Sequence, residues 1–253
     1  MRFFKRLALS FAFMTRIPIS IKFETKEKDI AKMVVFFPFT SLFVGLFMYL
    51  FFYLFGLLGF EFLPIIAALI AGVMITGALH IDGFIDCADA FFVSKDKKKA
   101  LEILKDSRVG ACGVVACVFL FAVKFLLLLE LNVFSLSYLF IFLAMPVAGK
   151  IPLLVCAYFS KYPREKGTGK SVITLSKIGE ILIAVIMSAL FLWLMFRFKG
   201  LIIAAVLIAL GFIYVWVGKV KIGGATGDLL GSANETGEII FLAAIFILVK
   251  FGG

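Results

Sequence analysis

Nitrogen and sulfur metal ligands are scarce in this chain. A single histidine, His80, excludes a multi-histidine metal centre. The four cysteines, Cys87, Cys112, Cys117 and Cys156, show neither CxxC nor other metal-ligand spacing. Three of them fall inside apolar runs, as small core residues in a reducing setting do. No cleavable signal pattern is visible, because the apolar run over residues 7–13 is short and no small-residue cleavage site follows it. Charge is thin as well: 17% of residues carry it, against about 25% in soluble domains.

Hydrocarbon takes the place of charge. Of 253 residues, 63% are hydrophobic, and the mean hydropathy is +1.14; soluble domains hold about 45–50% apolar residues. The expected fold is an all-α, polytopic membrane bundle, a single domain over residues 1–253. Runs able to cross a bilayer cover residues 34–56, 62–79, 111–130, 133–158, 181–197, 201–217 and 239–250, about seven transmembrane helices. Ahead of them, Phe13-Met14-Thr15-Arg16-Ile17-Pro18 ends an apolar stretch too short to span, which predicts a re-entrant or interfacial helix.

A net charge of +10 would suit a nucleic-acid partner, but its distribution points to membrane orientation instead. Lys and Arg number eight in residues 1–33, six in 80–110, five in 159–180 and two in 218–238. The opposite side holds only Arg197, Lys199 and Lys250. The N-terminus and those three loops are therefore expected in the cytoplasm, in a multi-pass cytoplasmic-membrane protein, with no nucleic acid involved. Two lysines lie inside spans. Lys124 is expected to snorkel or to pair with Glu130. Lys150 sits some two turns inside its span and is a functional candidate.

Every polar cluster able to carry chemistry falls on the expected cytoplasmic face. Asp82, Asp86 and Asp89 are spaced i, i+4, i+7, so one helix face carries all three. Carboxylates crowded at a membrane end repel one another and resist desolvation, so a divalent cation is the economical companion. A solvated helix end with chance spacing is the plain alternative. The second cluster runs Gly223-Gly224-Ala225-Thr226-Gly227-Asp228, then Asn234-Glu235 and Glu238. Its acids at 228, 235 and 238 fall within about 80° on a helical wheel. The glycines suit a turn that lets backbone approach an anion, although neither the P-loop nor the dinucleotide fingerprint is matched.

Between the clusters, Arg108 is a candidate phosphate donor or an ordinary positive-inside anchor. The basic, glycine-bearing loop 161–170, with Lys170, is a lid over an anionic substrate or a plain interfacial loop. His80 is structural, or supports the acids in proton transfer. Oxygen ligands dominate throughout, which favours Mg²⁺ and metal-assisted chemistry on a pyrophosphate or nucleotide.

Taken together, the stretches FMTRIP, GALHIDGFIDCADAF, SRVGACG, KGTGK and GGATGDLLGSANETGE resemble the cobalamin synthase family, the adenosylcobinamide-GDP ribazoletransferases, in order from about residue 11 to residue 238. Two departures stand out: Lys150 stands where the family usually has arginine, and the 161–170 loop is unusually lysine-rich. The resemblance implies an integral membrane enzyme that uses Mg²⁺. Its substrates would be adenosylcobinamide-GDP and α-ribazole, or α-ribazole 5′-phosphate, with attack by the 5′-hydroxyl of α-ribazole and GMP leaving. On that reading Asp82, Asp86, Asp228 and Glu235 are metal ligands, and Asp89 is the base. Arg108, Lys150 and His80 assist catalysis, while Arg16, Lys170, Thr226, Asn234 and Glu238 contact substrate. Glu235 and Glu238 are alternatively a second metal position or an orienting pair for α-ribazole. The bilayer is the expected environment, and assembly as a homo-oligomer is compatible with the chain.

Two rivals remain at this level. A CDP-alcohol phosphotransferase or membrane prenyltransferase also sets paired acidic helices over Mg²⁺ and a diphosphate, but no clear DxxDGxxAR or paired Asn-Asp motif is present. A cation transporter would need acids at the midplane or outer face as well.

Overall fold

A computed structural model describes residues 2–19, 26–132, 137–167 and 169–251. The start of the span expected at 133–158 (residues 133–136) and Thr168 of the expected lid lie outside the described residues. Every regular element described is helical. The first, α1 (Arg2–Met14), is too short to span and is tied down by a Ser10–Thr40 hydroxyl contact of 2.7 Å and a Lys5–Asp29 ion pair of 2.7 Å. It is the expected short N-terminal helix.

Helix α2 (Glu27–Lys32) runs through one 3₁₀ turn into α3 (Phe37–Gly56), where Pro38 occupies the first turn, the place a missing N–H costs least. Helix α4 (Leu63–Thr76) stops at two consecutive left-handed residues, Gly77 (φ +61) and Ala78 (φ +59). The chain leaves them as α5 (Leu79–Val93), bent 93° from α4. Ala78 there adopts a conformation that costs a non-glycine residue about 1–2 kcal/mol, so the bend is imposed by its surroundings. A short α6 (Lys97–Ile103) leads to α7 (Ala111–Asn132).

At the centre stands α8 (Tyr138–Phe159), buried over 83% of its most apolar stretch against 22% for α7. It packs on α3 and on the two helices that follow the short α9 (Lys170–Leu175), α10 (Ile178–Lys221) and α11 (Gly227–Lys250). Small residues permit those crossings. Pro146 frees the carbonyl of Phe142 from its helical partner, and Gly45 of α3 lies against that oxygen. Gly149 and Gly237 bring α8 and α11 into contact in the same way.

Among the described residues five helices are long and apolar enough to cross a bilayer, or six with the bent α4–α5 pair as one crossing. The sequence-derived figure of about seven exceeds that count because it divided α10. Unbroken, 44 residues would reach about 66 Å, twice a bilayer core of about 30 Å. The helix instead reverses at Arg197 (φ 53, ψ −133), where Gly200 comes up against the carbonyl of Leu192. Its two limbs lie side by side.

Contacts between loops define one end of the bundle. Ser176 bonds the carbonyl of Ala31, Lys97 that of Lys219, Lys221 that of Phe91, and Ala225 N–H that of Lys161. The basic segments counted in the sequence are thus neighbours in space. Lys124 departs from expectation: it is buried, and it pairs with Glu235 and Glu238 of α11 rather than snorkelling or meeting Glu130.

Candidate active site

Helices α5 and α11 cross at glycine. A Cβ on Gly83 would lie 2.6 Å from the carbonyl oxygen of Asp228, and one on Gly231 would lie 2.8 Å from that of His80. Side-chain-free contact at these two points lets the acidic starts of both helices face each other. Asp86 consequently feels the charges of Asp82, Asp228, Asp89 and Arg164. The structure therefore brings together Asp82, Asp86 and Asp228, which lie on two helices nearly 150 residues apart in sequence.

Arg164 was the residue the sequence reading missed. It lies in the loop 160–169, which is strapped to the start of α11 by the Lys161–Ala225 backbone bond of 2.8 Å and by Gly169 against Gly227. Its Nη2 sits 3.2 Å from Oδ2 of Asp228, with the two side chains 12% and 23% exposed. Asp228 Oδ2 has no further hydrogen-bond partner. Beside it, burial pushes the Tyr162 hydroxyl upward in pKa. Arg164 was hidden because its only signal was being the sole arginine of a lysine-rich loop.

Other expected site residues occupy different places. Asp89 accepts Gly110 N–H at 2.7 Å and Gly113 N–H at 2.8 Å, one on each oxygen, and so caps the start of α7. Glycine is needed at both positions, since a Cβ would strike the carboxylate within 2.5 Å at Gly110 and within 2.4 Å at Gly113. With both oxygens committed, Asp89 has the geometry of a cap rather than of a base open to a substrate. Thr226 is buried and caps α11 through Leu229 N–H at 3.4 Å.

Arg108 is 87% exposed and grips Asp106 through two nitrogens, Nε at 3.0 Å and Nη2 at 2.6 Å. That guanidinium holds the Asp106 carboxyl down at about 2. Lys170 donates to the carbonyl of Glu165 at 2.7 Å, stiffening the strap. Arg16 donates its backbone N–H to Ile75 at 2.7 Å, and its side chain covers Gly77 at the α4–α5 bend.

A second polar group lies deeper. Lys124 donates to Glu235 and Glu238, each at 2.6 Å; Asn234 donates to Glu238 at 3.1 Å and accepts from Lys150; Lys150 also lies 3.4 Å from Nε2 of His80. Glu235 is thereby an ion-pair partner of Lys124, Glu235 and Glu238 line a small inner cavity rather than the one that holds Asp82 and Asp228, and Asn234 is buried between Lys150 and Glu238. Two lysines and two glutamates inside the bundle balance, a match the sequence reading missed because it began the last span at residue 239, beyond both glutamates. His80 lines both this inner cavity and the one that holds Asp82 and Asp228.

Among the described residues no three His, Cys, Asp or Glu side chains form a ready-made metal cage. The donor set nevertheless suits Mg²⁺, which takes one or two carboxylates and completes its shell with water and substrate phosphate. An otherwise unpartnered carboxylate oxygen with a guanidinium standing in as cation is consistent with that chemistry.

The fold and the pocket together define a class: a multi-pass helical membrane protein with a carboxylate-lined, cation-seeking cavity between two helix starts. The chain belongs to the family described as cobalamin-5-phosphate synthase, whose model matches residues 6–246. A relative from Clostridium novyi is 39% identical over 247 residues, covering 95% of this chain and 96% of that protein. One from Acetivibrio thermocellus is 35% identical, covering 98% and 99%. A third, from Clostridium acetobutylicum, is 32% identical over the full length of both. All three are named adenosylcobinamide-GDP ribazoletransferase. No solved structure matches the chain.

Proposed function

We propose that this protein transfers the phosphocobinamide group of adenosylcobinamide-GDP to α-ribazole or its 5′-phosphate, releasing GMP and closing the nucleotide loop of a cobalamin. The observation that carries the reading is the convergence of Asp82, Asp86 and Asp228 from two crossing helices, with Arg164 already paired to Asp228. The relatives' names supply the substrates.

A ribose oxygen bonds to the cobinamide-bearing phosphorus while the bridging P–O bond to GMP breaks. GMP leaves with the bridging oxygen, and the hydroxyl proton passes to a carboxylate oxygen of Asp82 or Asp86 that the metal leaves free. Asp89 is unavailable for it, its oxygens being held by backbone amides. The 5′-hydroxyl is also unsuited as nucleophile: a product that keeps a 5′-phosphate has that oxygen occupied, so attack falls to a hydroxyl of the ribose ring. Asp82, Asp86 and Asp228 would hold Mg²⁺, which supplies neutralisation of the diphosphate charge. Arg164, released from Asp228, takes a phosphate oxygen in its fork. The pocket faces the cytoplasm of a cytoplasmic-membrane protein, a reading supported by the basic segments gathered at its end.

Asp82→Asn and Asp228→Asn, assayed in membranes for GMP release that depends on both corrinoid and ribazole, are expected to lose at least 100-fold in turnover, on the order seen when a charge-stabilising group is removed. Chelating the metal should abolish wild-type turnover, and Mg²⁺ should restore it. Wild-type rates with a normal Mg²⁺ response in either variant would overturn the assignment, and release of CMP or pyrophosphate instead would point to another reaction.

A further inference from the structure

The acidic pocket opens into a cavity of about 200 Å³ that the reaction as described leaves without a task. Asp82 and Asp228 stand on its wall, so whatever fills it abuts the reacting centre. Away from those acids and His80, its side chains are apolar: Phe13, Phe37, Leu153, Val172 and Leu230. Phe13 and Phe37 lie parallel, 5° apart in plane with centroids at 6.2 Å, and offer aromatic surface to a flat ring. His80 is the polar exception: its Nε2 lies 3.4 Å from Nζ of Lys150, and the tautomer that accepts there carries its ring proton on Nδ1 as a hydrogen-bond donor.

We propose that this cavity is the subsite for the heteroaromatic base of the acceptor nucleoside, an apolar benzimidazole-type bicycle. The inference rests on the transfer reaction proposed above. Three chemistries compete for the space, and two fail. The corrin macrocycle is far larger than the cavity, and drug-sized ligands already occupy about 300–1,000 Å³. Guanine would bring an amino group, a ring N–H and a carbonyl, three polar groups, into a cavity whose only polar side chains are His80 and the two acids already committed to the reacting centre. A benzimidazole buries only hydrocarbon edges and one ring nitrogen able to accept from a donor such as His80. With the base so lodged, its ribose lies at Asp82 and Asp228, where the attacking hydroxyl is needed.

The test compares acceptors and variants in proteoliposomes of the full chain. Phe13→Ala is expected to raise KM for α-ribazole about tenfold, of the order of a lost apolar contact, while kcat and KM for adenosylcobinamide-GDP stay within twofold. Should Phe13→Ala fold poorly, Phe13→Leu and Phe37→Leu give smaller shifts in the same single KM. Wild-type protein should prefer α-ribazole over a purine α-nucleoside by about 100-fold, and free dimethylbenzimidazole should inhibit competitively against α-ribazole alone. Equal shifts in both KM values, no shift in either, or inhibition competitive with the corrinoid would overturn the subsite. Failure of the wild-type protein to release GMP with any acceptor would instead overturn the reaction itself.

Discussion

Lys124 neutralises two carboxylates that would otherwise share a buried space with each other. Removing one member of such a group leaves uncompensated charge and costs about 3–5 kcal/mol. Lys124→Ala is therefore expected to lower the unfolding midpoint in detergent sharply, whereas combining Lys124→Met with Glu235→Gln, which leaves Glu238 to balance Lys150, should recover most of the loss; thermal unfolding followed by circular dichroism reads both. Arg164 acts at the same scale with a different sign. It competes with any cation for Asp228, so Arg164→Ala should shift half-saturation by Mg²⁺ to lower concentration while cutting maximal transfer about 100-fold. An unchanged Mg²⁺ titration contradicts that competition. For Asp106, a carboxyl lowered to about 2 by Arg108 stays ionised above that value and is lost only as pH falls through it. Arg108→Gln should accordingly leave the shape of the pH–rate curve between about pH 5 and 9 unaltered. The acids were legible because helical spacing alone puts Asp82, Asp86 and Asp89 on one face. Their division of labour was not: the task of Asp89 depends on where α7 begins, and that of Arg164 on a loop folding back across the start of α11.

Among elements, α11 is held by glycine contacts on two sides. It meets α5 through Gly231 and α8 through Gly237, with glycine supplied by its neighbours at Gly83 and Gly149. Gly83→Ala would drive a methyl group into the backbone of Asp228, and overpacking of this kind costs about 1–3 kcal/mol. The expected result is a lowered midpoint together with activity lost beyond what the folded fraction explains, because the acids move with the helices. A variant with normal turnover per folded molecule would show that the crossing does not set the site. Most helices could be read from apolar runs. The bend at Gly77 and Ala78 could not, since an alanine carries no sign of a left-handed conformation that Arg16 and its surroundings impose. The reversal in α10 was placed correctly by its short basic interruption, and only its tightness came from the packing of Gly200 on Leu192.

For the molecule as a whole, orientation is the quantity to measure. In a cysteine-free background, Arg197→Cys should react with an impermeant maleimide from outside intact cells, while Lys98→Cys should react only after permeabilisation; the opposite pattern would invert the bundle. Composition alone made the multi-pass helical architecture legible, because the bilayer imposes long apolar runs on sequence directly. The long-range match of Lys124 to Glu235 and Glu238 has a further consequence, for how the chain is made. Ribosomes deliver α7 well before α11, and a lysine near a helix centre costs about 2.5–3.5 kcal/mol to insert alone. Until α11 enters, the nascent bundle holds an unmatched charge. A chain halted before α11 would keep that defect, so the entry of α11 completes the bundle electrostatically as well as sterically.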